Sequence, residues 1–291
     1  MTANAHPLIP EEITLSVDHA SVLVRVWRPD APPRALLAIC HGFNAHGGQY
    51  QWVAEQMVAA GYAVYAVDLR GRGRSSGPRF YVERFDDYVA DIAATIALAR
   101  RRDRDLPLFL LGHSAGGVAA CLYAIEHPFG LQGLICESFA FRLPAPAIAL
   151  TLLKLFSRIA PRARVLRLKN VDFSRDPARV QWLDADPLIA DEVQPTITVA
   201  ALIRAGEQLD RDLPQVTTPI LILHGTADKA TQPAGSQLFF DAAGSSDKRL
   251  MLVEGGYHDL LSDIGKEATV QHIVAWISDR VMASQPNDGS R

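Results

Sequence analysis

Four short runs in the first half of the chain are apolar almost without a break: Ala35–Cys40 (ALLAIC), Tyr62–Val67 (YAVYAV), Leu108–Leu111 (LFLL) and Leu131–Cys136 (LQGLIC). A strand with one wet face alternates apolar and polar residues, so a strand without alternation is covered on both faces. Between these runs lie stretches with helical spacing: Gln51–Ala60, which stops at Gly61; Phe85–Arg102; and Ala115–His127, which ends before Pro128. The pattern returns downstream at Ile220–Leu223 and Leu250–Val253, with a helix between them and a last helix near Val270–Val281. Ile13–Val17 and Val22–Trp27 do alternate, as an exposed antiparallel hairpin does. The fold class expected is α/β: a mostly parallel sheet of eight strands with helices on both faces. In such a sheet ligands sit at the carboxyl ends of the strands.

The chain has 291 residues, 48% of them hydrophobic. A chain of this length buries about three quarters of its unfolded surface and needs no disulfide or metal to hold a core. The formal net charge of −3 is near neutral and speaks against a nucleic-acid partner. Cys40, Cys121 and Cys136 are an odd, widely spaced set that fits no metal pattern. The opening MTANAHPLIPEE has neither a basic start nor an apolar run, so no secretory signal is expected. The longest uncharged apolar stretch, around Pro144–Leu153, is too short to span a bilayer. These points together imply a cytoplasmic protein. A short polar tail, Ser284–Arg291, closes the chain, and nothing in the sequence signals an oligomeric state.

One segment breaks the rhythm. From about residue 140 to 214 there is no clear buried strand, only two helix-like stretches, Ala147–Ile159 and Ile197–Ala205, and several Asp-Pro turns. An insertion of this length between sheet strands reads as a cap over the strand ends; the alternative is a small second domain with no role in the site. The expected division is a core of 1–139 and 215–291 and a cap of 140–214.

The chemistry is carried first by Gly112-His113-Ser114-Ala115-Gly116, a G-x-S-x-G between a strand and a helix. A sharp strand-to-helix turn strains the serine backbone, and flanking glycines let neighbouring backbone pass. A serine hydroxyl needs a base. In this arrangement the partners follow in the order serine, acid, histidine. Asp228, in HGTADKAT after the run Ile220–Leu223, and His258, in EGGYHDLL after Leu250–Val253, sit on the same rim as Ser114. An oxyanion hole needs two N–H donors: the amide of Ala115, after the nucleophile, and one from the loop His41-Gly42-Phe43-Asn44, for which the Phe43 amide is the candidate. His41 reads as a structural residue of that turn.

The set HGFNAHGGQY, DLRGRGRSSGPR, GHSAGG, HGTADKAT and YHDLL resembles the monoacylglycerol lipase and lysophospholipase branch of the α/β-hydrolases, from about Val22 to Val281. LDADPL, Leu183–Leu188, is similar to a cap turn of that group. The resemblance implies a carboxylic ester hydrolase with a lipid-like acyl substrate, no cofactor and no metal, and it supports Ser114, Asp228 and His258 with Phe43 and Ala115. The chain departs from the family at Ala45-His46, where Glu-His is frequent, and at Cys136-Glu137-Ser138-Phe139, where small apolar residues are usual. His46, Glu137 and Phe139 are therefore assigned to the substrate side; Glu137 reads as a buried structural or substrate-contacting group and is also a reserve acid for the triad. Phe43, Phe139 and Phe141 are expected to make the acyl pocket aromatic.

Arg70–Arg74 (RGRGR) follows a strand and matches the family's turn, so it reads as a structural loop and not a phosphate site. The apolar AIALTLLKLF leads into Arg158, Arg162, Arg164, Arg167 and Lys169. That helix either shields the acyl pocket or lies on an anionic membrane surface, or does both. Two other readings stay open: the same triad acting on an amide or carbon–carbon bond, and a non-catalytic small-molecule binder.

Overall fold

The computed structural model describes residues 7–284; the first six residues and the polar tail from 285 onward lie outside the described residues. Eight strands form one sheet: β1 (Glu11–Val17), β2 (Ala20–Trp27), β3 (Ala35–Cys40), β4 (Tyr62–Val67), β5 (Leu108–His113), β6 (Gly133–Glu137), β9 (Ile220–Gly225) and β10 (Lys248–Val253). Their order is β1-β2-β4-β3-β5-β6-β9-β10. β1 and β2 are an antiparallel hairpin, β2 runs antiparallel to β4, and every later pairing is parallel. This is the α/β-hydrolase fold.

Successive side chains of a strand point to opposite faces, and the fully apolar strands fill two cores. Leu36, Ala38 and Cys40 of β3 join one core with Ile92 and Ile96 of α2 (Asp86–Arg102) and Val118 and Leu122 of α3 (Ala115–Glu126). Leu37 and Ile39 join the other with Val53 and Met57 of α1 (Gln51–Ala59) and Ile273 and Trp276 of α8 (Lys266–Ser284). α2 is also matched to its own dipole, with Asp86 and Asp87 in its first turn and Arg100, Arg101 and Arg102 in its last.

From β3 the chain moves one way to β4, then crosses back over β3 to β5. The strand order reverses there, which opens a crevice at the carboxyl ends of β3 and β5. The register pairs Cys40 with Gly112, so the loops leaving both strands emerge side by side.

Between β9 and β10 lies α7 (Pro233–Ala242), and segment 140–214 holds α4 (Ala147–Ile159), α5 (Pro177–Asp184) and all of α6 (Thr196–Asp212). It also holds an antiparallel pair, β7 (Arg164–Leu166) with β8 (Gln194–Pro195), that sequence reading missed. Strands of three and two residues are too short for an alternation to show. α6 runs past the expected Ala205 because Leu209, fully buried, continues its apolar stripe. β6 begins two residues later than expected and ends at Glu137. A Cβ at Gly133 would stand 2.4 Å from the indole of Trp276, so the strand start is shaped to seat α8. Among the described residues no helix is long and apolar enough to cross a membrane.

Candidate active site

β5 ends at His113 and α3 begins at Ala115, so Ser114 alone makes the turn. Its backbone sits at φ 55°, ψ −120°, where a residue with a Cβ stays only under constraint. Ser114 N donates to the Glu137 carbonyl at 2.9 Å, and the Ser114 carbonyl accepts from Gly117 N at 3.0 Å and Ala140 N at 3.2 Å. The flanking glycines permit this packing. A Cβ on Gly116 would stand 2.4 Å from the carbonyl oxygens of Cys40 and His41, and one on Gly112 would stand 2.6 Å from that of Gly116. Gly42 lies against the serine itself; a Cβ there would reach 2.7 Å from Ser114 Cβ.

The next residue after Gly42 is Phe43, and Phe43, Ser114 and Ala115 line one cavity. Ala115 opens α3, where an amide has no acceptor inside the helix. Neither the Ala115 nor the Phe43 amide has an acceptor among the turn and loop hydrogen bonds of the described residues. His41 anchors the loop from below: its Nε2 accepts from Leu69 N at 3.1 Å and its Nδ1 meets the Gly42 carbonyl at 2.7 Å. Burial holds its ring neutral, with the pKa pushed down to about 3.

His258 and Asp228 are brought together, with His258 Nδ1 2.7 Å from Asp228 Oδ2. Asp228 is held by an Asx turn in which its Oδ1 accepts from Ala230 N (2.7 Å) and Thr231 N (3.0 Å). Thr231 Oγ1 donates to Oδ2 at 2.8 Å. His224 Nε2, at 3.1 Å, is a second histidine on the same oxygen, and its Nδ1 meets Ser236 Oγ at 2.7 Å. The sequence signal for His224 is its place four residues before Asp228. Burial alone would raise the Asp228 pKa. The charge of His258 and the hydrogen bonds from His224, His258 and Thr231 outweigh burial and hold it well below the usual carboxylate range. The Phe173 ring stands edge-on to His258 at 4.8 Å. His258 Nε2 is buried and without a partner among the described residues, and His258 lines the same cavity as Ser114.

The three residues assigned to the substrate side lie elsewhere. His46 is buried with its Nε2 2.8 Å from Asp186 Oδ2, so it ties the core to the LDADPL turn. Glu137 is fully buried beneath the site: its Oε1 accepts from Leu260 N at 2.8 Å and Ser138 Oγ at 3.1 Å, and its Oε2 lies 3.3 Å from His113 Nε2. Asp228 occupies the position beside His258, so Glu137 is not the triad acid. Phe139 is fully buried, stacked on Phe141 at 5.4 Å and packed on Phe239 at 5.0 Å. It backs α3 and does not line the cavity. Burial and the nearby Asp259 push the Glu137 carboxyl well up, and burial together with the charge of His258 pushes His113 down to about 4. Both shifts favour the uncharged forms. His113, Glu137 and Asp259 could offer ligand atoms within 4.8 Å of one another. Burial disfavours a charge on Glu137, and Arg179 already faces Asp259 at 3.5 Å, so the group does not suit a cation.

The cavity has a volume of about 350 Å³. Leu143, Leu150, Leu153, Leu168, Val199 and Leu202 wall it from segment 140–214, and Phe43, Ser114, Ala115, Thr231 and His258 close it from the sheet side. Arg167, Lys169 and Lys229 stand at its exposed edge with one acid, Asp172. The arginines of RGRGR are all committed to ion pairs, Arg70 with Asp91 (2.7 Å), Arg74 with Glu12 (2.6 Å) and Arg72 with Glu192, as a structural loop requires.

Residues 31–265 match the family model for serine aminopeptidase, S33. Over 88% of the chain the sequence is 30% identical to a monoacylglycerol lipase of Mycolicibacterium smegmatis, 92% of whose length is covered. It is 30% identical to the monoglyceride lipase of Mus musculus over 93% of the chain and 91% of that protein. Among solved structures, the crystal structure of Paleococcus ferrophilus monoacylglycerol lipase superposes with a TM-score of 0.80 at 28% identity, covering 89% of this chain and 99% of that one.

Proposed function

The chain belongs to the serine aminopeptidase, S33 family, and on that premise we propose that it is a serine carboxylic ester hydrolase acting on lipid-like acyl esters. Ser114 Oγ attacks the ester carbonyl, and His258 Nε2 takes its proton. Asp228 keeps the other ring proton on Nδ1 and stabilises the imidazolium. The amides of Phe43 and Ala115 receive the oxyanion. The alcohol leaves with the proton from His258, and water then clears the acyl-enzyme. The observation that carries this reading is the buried, unpartnered Nε2 of an Asp228-bound His258 in one cavity with a serine at a strained elbow.

The apolar walls of the cavity suit an acyl chain, and the relatives named monoacylglycerol or monoglyceride lipase point the same way. The family's description also names aminopeptidases. Such a substrate presents an ammonium, which an edge carrying Arg167, Lys169 and Lys229 against one acid repels. Residues 140–214 act as the cap. Its helix α4 turns Leu150 and Leu153 to the cavity while Ile148 (73% exposed) and Ile159 (83%) face outward beside exposed Arg158 and Arg162. This face supports peripheral contact with an anionic membrane.

Hydrolysis of a p-nitrophenyl ester series from acetate to palmitate, by the wild type and Ser114→Ala, tests the proposal. Turnover is expected in the wild type only, with the best chain length sizing the cavity. Inertness of the folded wild type toward every ester would overturn it and direct attention to amide or carbon–carbon substrates.

A further inference from the structure

We propose that Arg72 and Glu192 are positioning residues for the Phe43 amide, so that the cap completes the oxyanion hole as well as covering the acyl cavity. The inference rests on the reading of Phe43 as an oxyanion donor.

The Phe43 ring lies under the guanidinium of Arg72, 4.3 Å from its centre. Arg72 is fully buried and comes from the loop after β4. It is fixed at every nitrogen: Nε donates to Tyr88 Oη at 3.0 Å, one terminal nitrogen to Gln194 Oε1 at 2.7 Å and the other to Glu192 Oε1. The same Glu192 oxygen accepts from Asn44 N at 2.9 Å. One carboxylate thus holds both the cation above the Phe43 ring and the amide that follows Phe43.

Asn44 has φ 52°, a left-handed conformation, and its Nδ2 donates to the Leu168 carbonyl at 3.3 Å and Asn170 Oδ1 at 3.2 Å. Glu192, Gln194, Leu168 and Asn170 all belong to segment 140–214. The loop that presents the Phe43 N–H is therefore wedged between the sheet and the cap. A buried ion pair adds little net stability over an apolar pair of the same volume. Its distinctive effect is directional, and an oxyanion donor depends on direction, since catalytic groups displaced by about 1 Å lose up to about 100-fold in rate.

The test uses the full chain and p-nitrophenyl butyrate, a short substrate that leaves most of the acyl cavity empty. Arg72→Met/Glu192→Leu removes both charges together, so no lone ion is left buried, and its folding is checked by its melting temperature. Its kcat is expected to fall about 10- to 100-fold with KM within about twofold. Affinity for an alkyl trifluoromethyl ketone, whose hemiketal oxyanion uses the same donors, should fall in parallel. Glu192→Gln keeps an oxygen for Asn44 N and Arg72, and should restore kcat relative to Glu192→Ala. Asp210→Asn breaks a different cap pair, Arg142–Asp210 at 2.6 Å, and should keep the wild-type kcat. An unchanged kcat in the folded double variant, a loss confined to KM, or an equal loss in Asp210→Asn would overturn the inference alone. A wild type inert toward all esters would overturn the function reading and this inference with it.

Discussion

Replacing Asp228 by asparagine should remove catalysis without removing the fold, and the structure fixes how. The two carboxylate oxygens have different partners. Oδ1 accepts two backbone amides, Ala230 N at 2.7 Å and Thr231 N at 3.0 Å, whereas Oδ2 faces His258 Nδ1, His224 Nε2 and Thr231 Oγ1. An asparagine NH2 turned toward the two amides would set donors against donors, at about 1–3 kcal/mol for each buried group left unsatisfied. The carboxamide oxygen therefore takes the Oδ1 place and the NH2 points at His258. A donor opposite Nδ1 favours the tautomer that carries its proton on Nε2, so the base no longer faces Ser114. The expected loss in kcat is about 10⁴-fold, roughly 5 kcal/mol of transition-state stabilisation. Steady-state hydrolysis of p-nitrophenyl butyrate reads the rate, ¹⁵N chemical shifts of His258 read the tautomer, and the melting temperature checks the fold. A folded variant that keeps more than about a tenth of the wild-type kcat would refute the reasoning, because this network offers His258 no other acid.

Three further outcomes follow from the same geometry. Gly42→Ala puts a Cβ 2.7 Å from Ser114 Cβ and 2.9 Å from the His113 carbonyl; it should abolish ester turnover and lower stability by about 1–3 kcal/mol, read by urea denaturation. His113 titrates near 4 in the fold against 6.5 for a free ring, so the unfolded chain takes up the proton first and stability falls as the pH drops through that window. His113's share of the loss is on the order of 3 kcal/mol, and in urea midpoints taken from pH 7 to 4 His113→Asn should lessen the fall without abolishing it, because His41, pushed down to about 3, acts in the same direction. Leu152→Asp/Ile159→Asp changes two outward residues of α4; it should release the protein from vesicles rich in anionic lipid and leave hydrolysis of p-nitrophenyl acetate unaltered, and equal vesicle binding by the variant would defeat the membrane reading.

Much of the fold and of the candidate site's geometry was legible because it is encoded in short stretches. The strand runs are read from composition alone, and the elbow needs only five residues with a strand before and a helix after. Asp228 and His258 each follow a strand that ends on the same rim. The Arg72–Glu192 pair was not legible: its partners stand 120 residues apart, and no local pattern announces a pairing made only when segment 140–214 packs on the sheet loops. His46 belongs to the same class, since its partner Asp186 is 140 residues away. Both pairs join the sheet loops to segment 140–214.

Of the readings open for Glu137, the structure takes the buried structural one, and strand alternation explains it. In β5, Leu108 and Leu110 enter the core of α2 and α3, whereas Phe109 and Leu111 enter that of α1 and α8. Extending the period of two puts His113 on the α1 and α8 side. In β6, Leu134 and Cys136 face one core and Ile135 the other, so Glu137 falls on the same side as His113, its register partner. Both residues must therefore meet the loop that leads into α8, and Glu137 does so at Leu260 N, two residues past His258. The elbow breaks the alternation at Ser114 through its positive φ, and β6 has a matching break one residue later than Glu137, at Ser138 with φ 49°. Side chains before each break belong to the sheet's interior, and only Ser114, at the break itself, opens onto the cavity.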